Sequence, residues 1–487
     1  MNAQAPADRD ALANAIRASG VELVRFAWCD AHGLLRGKTL TATAALAALT
    51  SGVGMVSTLM LKDTSDRTAF KVFEPGIGEE LPGFGYANNL LLHPIPRTWR
   101  VLPWAASTGW VQCQPHFDDG RPVPYDTRTQ LQRALAALAS QGLDLVCGLE
   151  VEFHIYRLRD PAEDPALNPE HSAWPPPAPA VQLIHPGYML LSEAWFDQAE
   201  APLRIVQHTA QALGLPLSSL EIELGPSQVE AVFDATDALT AADNMVLFRS
   251  AVRQALRRAG YHATFMCRPP FPNIMASGWH LHQSLRDLQS GHNALVRTAA
   301  LPGADTTDAR ATLSDLGAHY LAGLLDHAQG MTVLCAPTAN AFGRFRPNAL
   351  APQSILWGHD NRGAMLRVIG PQGHPATRIE NRLGEPTANP YLYFAAQIHA
   401  GLSGLRSQRL PPPASLAPYA DDPSAAPRIP STLAAALQAF ASDSAMQAGF
   451  GEDFVRYFSR LKHAEDARHQ AAEDKLEFDR REYFARY

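Results

Sequence analysis

The sequence has little of several features that would assign it to a special class of protein. Among its 487 residues, five cysteines are scattered through the chain, and the formal net charge is only -7. There is no apolar run of membrane-spanning length, and Met1–Asp10 has neither a basic start nor an apolar core. Scattered cysteines indicate reduced thiols, and a negative net charge disfavours nucleic acids and anionic membranes as partners. We therefore predict a cytoplasmic protein without a signal peptide or a membrane span.

What is present is the composition of a soluble globular protein. Apolar residues make up 46 % of the chain and charged residues 18 %. The chain is too long to fold around one small hydrophobic core, so we predict two domains, one of them large. Residues 40–116 are predicted to hold short strands and turns, and the proline-rich stretches Asp160–Ala180 and Leu410–Pro430 are predicted to be surface excursions.

Three local patterns give further predictions. Asp126 is suited to cap a helix that ends at Gly142, and a second helix is predicted over Thr240–Ala259. Gly33–Thr39 has the glycines and the lysine of a phosphate loop, but three residues separate its glycines instead of four. We interpret Gly33–Thr39 as a hairpin for that reason.

The most informative stretch is Ser277–Leu285, which contains His280 and His282. In a strand, residues two apart point to the same face of the sheet, so both imidazoles lie on one side while Leu281 packs on the other. A single histidine in a strand is more often a satisfied polar group than a ligand. The histidine pair therefore needs support from other residues before it indicates a site.

Glutamates with the same spacing give that support. Glu150 and Glu152 alternate with the apolar residues Leu149 and Val151. Two like charges on one strand face repel each other, and burying them unpaired costs roughly several kcal/mol. A cation between the carboxylates removes this cost. The alternative is an edge strand whose glutamates face solvent.

Further acidic groups occur in Glu221–Glu223, at Glu230 and at Glu380, which is flanked by Arg378 and Arg382. Oxygen-rich sites with one imidazole suit hard divalent cations such as Mg²⁺ or Mn²⁺. Acidic segments far apart in the sequence, with arginines between them, indicate metal ions that neutralise phosphates.

At this point the sequence resembles the glutamine synthetase family, because five motifs occur in the family's order over about 240 residues. They are Gly148–Phe153 (G-x-E-x-E-F), Glu223–Glu230 (E-x-G-P-x-Q-x-E), Ser277–Leu285 (S-G-M-H-x-H-x-S-L), Asn361–Arg367 (N-R-x-x-x-x-R) and Arg378–Tyr391 (R-I-E-x-R, then P-x-A-N-P-Y). The resemblance implies an α+β fold. It consists of an N-terminal helix within residues 1–18, a small β-grasp-like domain at 19–117, and a large catalytic domain at 121–487 with a curved antiparallel sheet and surrounding helices.

The resemblance also implies ligands for two divalent ions, Mg²⁺ or Mn²⁺. The first set would bind the ion that holds the amino-acid substrate, and it comprises Glu152, Glu223 and Glu230. The second set would bind the ion that bridges the phosphates of ATP, and it comprises Glu150, His280 and Glu380.

Other residues would bind the two substrates by the same resemblance. The ATP-binding candidates are His282, Ser284, Arg362, Arg367 and Arg378. The glutamate-binding candidates are Arg344, Ala276 and Arg382, and Arg362 and Arg382 are also the catalytic candidates. A planar guanidinium binds two phosphate oxygens at once, which a lysine cannot do. The implied reaction forms a γ-glutamyl phosphate from glutamate and ATP, and a nitrogen nucleophile then displaces phosphate to give an amide.

The sequence departs from the glutamine-forming members at three places. Six residues after Arg344, where those members carry a glutamate, this chain has Leu350. An asparagine–glycine pair that contacts glutamate is replaced by Met275–Ala276, and the early loop at Gly52–Leu61 contains no acid. Ammonium needs anionic ligands to be held and deprotonated, whereas a leucine adds apolar surface.

We therefore predict that the acceptor is an organic primary amine bound beside Leu350, because each buried methylene contributes about 0.8 kcal/mol. Polyamines are the first expectation, followed by monoamines and aromatic amines. Asp63, Asp66 and His359 are candidates for the proton acceptor. The alternatives are an ammonia-dependent glutamine synthetase, a catalytically silent structural or regulatory relative, and a phosphagen kinase. The family forms its sites between subunits, which implies a ring or double-ring homo-oligomer such as a dodecamer.

Overall fold

The computed structural model describes residues 6–160, 165–303, 305, 307–346, 350–419 and 426–487. The predicted N-terminal segment 1–18 and both proline-rich excursions therefore lie partly outside the described residues. Within the described ranges, every helix is too short or too polar to span a lipid bilayer.

A six-stranded sheet forms the first part of the fold, and its strand order is β2-β1-β6-β4-β3, with β5 paired to β6. The strands are β1 (Leu23–Cys29), β2 (Leu35–Thr41), β3 (Val53–Val56), β4 (Asn89–Pro94), β5 (Arg100–Val101) and β6 (Thr108–His116). Strands β1 and β2 pair antiparallel, which confirms the hairpin predicted at Gly33–Thr39. Gly37 allows this close pairing, since a Cβ there would lie 2.9 Å from the Cα of Ala27.

Residues 40–116 contain the predicted short strands and turns, but Ala42–Ser51 form a helix that was not predicted. The side chain of Thr41 caps this helix by accepting a hydrogen bond from the backbone N–H of Ala44 at 3.3 Å. Gly52 ends the helix in a left-handed conformation with φ 74°. Five of the ten residues are alanine, the residue with the highest helix propensity, so the composition contained a usable signal.

A nine-stranded sheet forms the second part, in the order β13-β14-β15-β12-β7-β10-β9, and β8 and β11 also pair with β7. The strands are β7 (Leu143–Leu158), β8 (Val181–Leu183), β9 (Leu217–Ile222), β10 (Gln228–Asp237), β11 (Tyr261–Thr264), β12 (Trp279–Asp287), β13 (Trp357–His359), β14 (Leu366–Ile369) and β15 (Arg378–Asn381). All pairs except β13–β14 are antiparallel. The sixteen-residue strand β7 pairs directly with four strands, β8, β10, β11 and β12.

Helices pack around the two sheets, which confirms the predicted α+β class. The helices are α1 (Pro6–Ser19), α2 (Ala42–Ser51), α3 (Ile77–Glu80), α4 (Thr127–Ala139), α5 (Glu193–Gln198), α6 (Glu200–Ala212), α7 (Ala238–Arg258), α8 (Asp315–Asp326), α9 (Ala328–Cys335), α10 (Pro390–Ser407), α11 (Leu433–Ser442), α12 (Ser444–Phe450), α13 (Glu452–Ala471) and α14 (Lys475–Asp479). Short 3₁₀ turns lie at Ser57–Leu61, Pro96–Thr98, Pro169–His171, Ala309–Ala311 and Ala339–Arg344, and a π turn lies at Arg480–Phe484.

Both predicted helices are present close to their expected ends. Asp126 caps α4 by accepting a hydrogen bond from the backbone N–H of Thr129 at 2.8 Å. Helix α7 begins two residues before the predicted Thr240, because Asp237 is its capping residue. Phe248 on α7 contacts Phe153 of β7 edge to face, with ring centroids 6.1 Å apart. The α7 side of the nine-stranded sheet is thus apolar, which leaves the other side for polar chemistry.

Candidate active site

The central strand β7 presents glutamates on one face and apolar side chains on the other. Leu149 and Val151 are buried at 3 % and 0 % exposure, while Glu150 and Glu152 alternate with them and point away from this core. The strand register places His280 of β12 opposite Glu150. It places Glu230 of β10 opposite Glu152. One face of three neighbouring strands therefore carries the ionisable groups that the sequence singled out.

The first group comprises Glu152, Glu223 and Glu230, whose carboxylate oxygens lie within 4.8 Å of one another. Burial, and then the charge of Glu152, raise the pKa of Glu230 to about 10 and that of Glu223 to about 8. Each proton is retained because burial, and then the neighbouring negative charges, disfavour the ionised carboxylate. A divalent cation would relieve the same repulsion, so this donor set fits a hard metal ion.

Two donors from outside this group orient Glu152. The side chain of Gln228 donates to Glu152 Oε2 at 3.1 Å, and the backbone N–H of Gly278 donates to the same oxygen at 2.8 Å. Both residues belong to motifs seen in the sequence, but their role as donors to Glu152 appears only once the strands are paired.

The second group brings Glu150, His280 and Glu380 together. His280 Nδ1 lies 3.3 Å from Glu150 Oε2 and 3.6 Å from Glu380 Oε1. His282 Nε2 lies 2.9 Å from Glu150 Oε1. The metal-ligand groupings here are Glu150 with His282 and Glu380, and Glu150 with His280 and Glu230, so Glu230 also belongs to a grouping with His280. The sequence assigned His282 to ATP, and the structure places it at the edge of the second group as well.

The electrostatics of the second group differ from those of the first. Although burial opposes it, hydrogen bonds with His280 and His282 hold the pKa of Glu150 well below its usual range. Burial, and then the charge of Arg382, lower the pKa of His280. A neutral imidazole beside an ionised carboxylate is the pair of protonation states that a metal ion requires of its ligands.

Glu380 is completely buried and lies between two arginines. Arg367 Nη1 is 3.0 Å from Glu380 Oε2, and Arg382 Nη1 is 2.6 Å from Glu380 Oε1. Arg367 also donates from Nε to Asp360 Oδ1 at 3.0 Å. No role was predicted for Asp360 from the sequence, although it lies one residue before the Asn361–Arg367 motif.

The other two buried or half-buried arginine candidates have different partners. Arg378 donates from Nε to His282 Nδ1 at 3.0 Å. Arg344 is buried and donates to the backbone carbonyls of Arg382 at 3.0 Å and Leu383 at 3.2 Å. A Cβ at Gly278 would lie 2.7 Å from Arg344 Nη2, so the missing side chain of Gly278 makes room for this guanidinium.

Three further candidates lie around this core of the site. Arg362 is exposed on the turn between β13 and β14. Ser284 is half-buried on β12, opposite Val146 of β7. Ala276 is half-buried, and its carbonyl accepts a hydrogen bond from the side chain of Gln228 at 3.3 Å.

Leu350 is 60 % exposed and has a left-handed backbone with φ 54°. In the single chain it lies on the surface, so its predicted role beside an amine stays a prediction.

The proposed proton acceptors have other partners among the described residues. Asp63 Oδ2 lies 3.0 Å from Arg468 Nε, and Asp66 Oδ1 lies 2.8 Å from Arg36 Nη1. His359 packs against Trp357 with ring centroids 4.8 Å apart. None of the three belongs to the carboxylate–histidine groupings that the described side chains form.

Residues 124–481 match the model of the glutamine synthetase catalytic domain. The chain belongs to the glutamine synthetase family. It is 37 % identical over 462 residues to the γ-glutamylanilide synthase of Acinetobacter sp., with 93 % of this chain and 89 % of the relative covered. It is 31 % identical to the glutamine synthetase of Thermus thermophilus, with 84 % and 88 % covered. It is 28 % identical to a γ-glutamylethanolamide synthetase of Streptomyces coelicolor, with 92 % and 90 % covered.

Among solved structures, the GmaS–ADP complex superimposes on this chain with a TM-score of 0.75 and 27 % sequence identity. The match covers 95 % of this chain and 97 % of the other. The similarity thus extends over both sheets and beyond the motifs that surround the carboxylates.

Proposed function

We propose that this chain is an ATP-dependent ligase that joins the γ-carboxylate of glutamate to an organic primary amine. The observation that carries the proposal is the pair of carboxylate groups on one sheet face, with Glu380 held between Arg367 and Arg382. Such a face suits the transfer of a phosphoryl group from ATP. Similarity to a γ-glutamylanilide synthase and a γ-glutamylethanolamide synthetase supports an organic amine as the acceptor.

Membership of the family implies ATP and a divalent metal ion. We infer two Mg²⁺ or Mn²⁺ ions, one held by Glu152, Glu223 and Glu230. The other would be held by Glu150, His280 and Glu380. When bound, the ions neutralise charge on the phosphates of ATP and on the substrate carboxylate.

The proposed first step joins glutamate and the γ-phosphoryl group of ATP. A γ-carboxylate oxygen of glutamate attacks the γ-phosphorus, the bond to ADP breaks, and γ-glutamyl phosphate forms. Arg344 would bind the glutamate carboxylate close to Ala276, and Arg382 would bind the transferred phosphoryl group. Arg362 and Arg367 would hold ATP phosphates by paired hydrogen bonds.

Arg378 would also hold ATP phosphates, and His282 and Ser284 would contact phosphate or ribose. The reaction gains from positioning and charge neutralisation, which supply most of the reduction in barrier for such transfers.

In the second step the amine nitrogen attacks the γ-carbonyl carbon. The carbon–oxygen bond to phosphate breaks, inorganic phosphate leaves, and the nitrogen loses a proton as the amide forms. A neutral amine is the reactive form, so its proton must leave before or during the attack.

Product identity tests the proposal. Purified chain is incubated with ATP, glutamate, magnesium and one member of a panel of ammonium, polyamines, alkyl monoamines, ethanolamine and aromatic amines, and products are identified by mass. We expect a γ-glutamyl amide of an organic amine to form faster than glutamine. Comparable or faster turnover with ammonium would support an ammonia-dependent glutamine synthetase instead. Absence of ADP release with every amine would support a catalytically silent relative. A phosphoguanidine product, when a guanidino compound replaces the amine, would support a phosphagen kinase.

The substitution Leu350→Glu tests whether Leu350 contributes to selectivity for an organic amine over ammonium. A carboxylate at this position would attract ammonium and disfavour an apolar amine body, so we expect the ratio of organic amine to ammonium turnover to fall by about tenfold. Leu476→Glu is the matched control, because Leu476 on α14 is 56 % exposed compared with 60 % for Leu350. An unchanged ratio in Leu350→Glu would remove Leu350 from the amine site without affecting the proposed ligase reaction.

A further inference from the structure

Three arginines surround a cavity of about 170 Å³ that lies away from the carboxylate face. The cavity lies between the β1–β2 turn, helix α7 and the last residues of the chain. Its lining includes Arg249 and Arg253 of α7, Arg486, Ser250 and Phe265. Positive charge is therefore concentrated around a partly open cavity to which the proposed reaction gives no role.

Arg249 donates only to backbone carbonyls among the described residues. Its Nη1 donates to Pro386 at 2.6 Å and to Ala388 at 2.9 Å, and its Nη2 donates to Gly33 at 2.9 Å. Arg249 is 6 % exposed, so solvent compensates little of its charge.

The other two arginines follow the same pattern. Arg253 Nη2 donates to the carbonyl of Ala485 at 2.6 Å, and its Nη1 donates to the carbonyl of Arg486. Arg486 in turn donates to the carbonyl of Thr64. Burial, and then the charge of Arg249, lower the pKa of Arg253 to about 10.

The nearby carboxylates are engaged elsewhere. Asp30 Oδ2 lies 2.7 Å from Arg36, and Glu482 Oε1 lies 2.7 Å from Arg468. Glu385 accepts a hydrogen bond from the backbone N–H of Thr387 at 2.8 Å. Within the described ranges, no side-chain carboxylate forms an ion pair with Arg249, Arg253 or Arg486.

Backbone carbonyls accept some of the N–H bonds of these arginines. The acidic side chains whose charge reaches them, Asp30, Glu385 and Glu482, form no ion pair with them. A buried charge of this kind is unfavourable until an anion approaches it. Ser250 Oγ accepts a hydrogen bond from Gln254 Nε2 at 2.9 Å, so its own proton is available to donate. A tetrahedral oxyanion matches this combination of guanidiniums and one hydroxyl.

We propose that this cavity binds a small oxyanion of the phosphate class, either inorganic phosphate or the phosphate group of an ester. A second cavity of about 150 Å³ shares Leu35 and Ser250 with the first and includes Trp104 and Trp110 in its lining. This second cavity provides space for the organic part of a phosphate ester. Arg249 also donates to the carbonyls of Pro386 and Ala388. An anion bound to Arg249 would therefore help to fix the position of this segment, which follows Arg382 by a few residues.

The test uses the full-length chain without divalent metal or ATP, so that no metal ion bridges an anion to the carboxylate face. Inorganic phosphate, and separately adenosine monophosphate, is titrated calorimetrically at constant ionic strength set with chloride. We expect saturable binding of about one anion per chain. Arg253→Gln should weaken it by about tenfold or more, because one charge-assisted contact is lost. Arg258→Gln is the matched control, because Arg258 is exposed on the same helix and does not line the first cavity.

The outcomes separate the possible ligands. Equal affinity for both probes assigns the site to free phosphate, and tighter binding of the monophosphate assigns it to an ester. If Arg253→Gln does not fold, Arg486→Gln provides the same comparison without changing helix α7. Absence of saturable binding by the unmodified chain, or equal binding by the unmodified and cavity-variant chains, overturns the proposal and leaves the arginines as donors to the C-terminal carbonyls.

Discussion

At the scale of single residues, glutamates that share one sheet face have opposite protonation tendencies. The pKa of Glu150 is held low by hydrogen bonds with two imidazoles, although burial opposes this. Burial, and then the neighbouring carboxylate Glu152, raise the pKa of Glu230 to about 10. The environment and not the residue type therefore decides which carboxyl is charged before a metal ion arrives.

Removing one charge from the first group should damage the reaction strongly. For Glu230→Gln we expect turnover to fall by at least about 100-fold at moderate magnesium, with partial recovery at high magnesium, because an amide is a weaker ligand than a carboxylate. Steady-state rates across a magnesium series measure this effect. Glu221→Gln is the control, since Glu221 pairs across from Glu230 but is absent from the metal-ligand groupings. Equal loss in both variants would argue against a specific ligand role for Glu230.

The raised pKa values predict that metal binding releases protons. Near pH 7 Glu223, with a pKa of about 8, and Glu230, with a pKa of about 10, retain their protons in the metal-free chain. A magnesium ion displaces them, so proton release should decline as the pH rises above these values. Calorimetry in buffers with different ionisation enthalpies measures the number of protons. A heat that is independent of the buffer near pH 7 would contradict this prediction.

The same pKa values fix the sign of a stability change. Both folded-state values lie above the ordinary glutamate value of 4.5. The folded metal-free chain therefore binds more protons than the unfolded chain, and its stability falls as the pH rises from about 4.5 towards 10. Saturating magnesium should reduce this loss, which thermal unfolding with and without a chelator can measure.

At the scale of elements, strand alternation on β7 creates both faces of the site. The apolar side packs against α7, with Phe153 and Phe248 in contact. On the other side, the glutamates of β7 lie next to Glu230 of β10 and His280 of β12. The alternating pattern predicted this division correctly. Helix α2 was not predicted, because the secondary structure of residues 40–116 was inferred from proline- and glycine-containing turns that lie after the helix.

The β1–β2 hairpin gives a test at this scale. Gly37→Ala should lower the melting temperature by several degrees, because the new Cβ would press on the backbone of Phe26 and Ala27. Gly54→Ala is the matched control, since Gly54 is also a strand glycine in this sheet and has open space around its Cβ position. Thermal unfolding of both variants is the measurement. Equal melting temperatures would mean that the hairpin adjusts without cost.

At the scale of the whole molecule, residues near the N-terminus are fixed by the last helices. Arg468 binds both Asp63 at 3.0 Å and Glu482 at 2.7 Å, so the 63–67 turn is held by the C-terminal region. Large apolar side chains nevertheless remain on the surface, including Phe73 at 73 % and Tyr86 at 74 % exposure. Exposed apolar area of this kind is suited to contacts between copies of the chain.

We therefore expect the chain to form the homo-oligomer that the family resemblance implies. Native mass measurement should give a multiple of 52.9 kDa, in keeping with a ring or double ring such as a dodecamer. Turnover per chain should fall on dilution into monomers, because the proposed site includes the neighbouring subunit. A stable monomer with full turnover would show that one chain completes the site.

The sequence by itself determined the family, the alternating strands and the residue types available for metal and phosphate. These features depend on local spacing and on motif order, which the linear chain contains. Only the tertiary structure decided which oxygens approach one another, that Gln228 and Gly278 orient Glu152, and that His282 lies beside Glu150. The cavity between α7 and the C-terminus was also decided there, because residues 33, 249 and 486 meet only when distant segments pack.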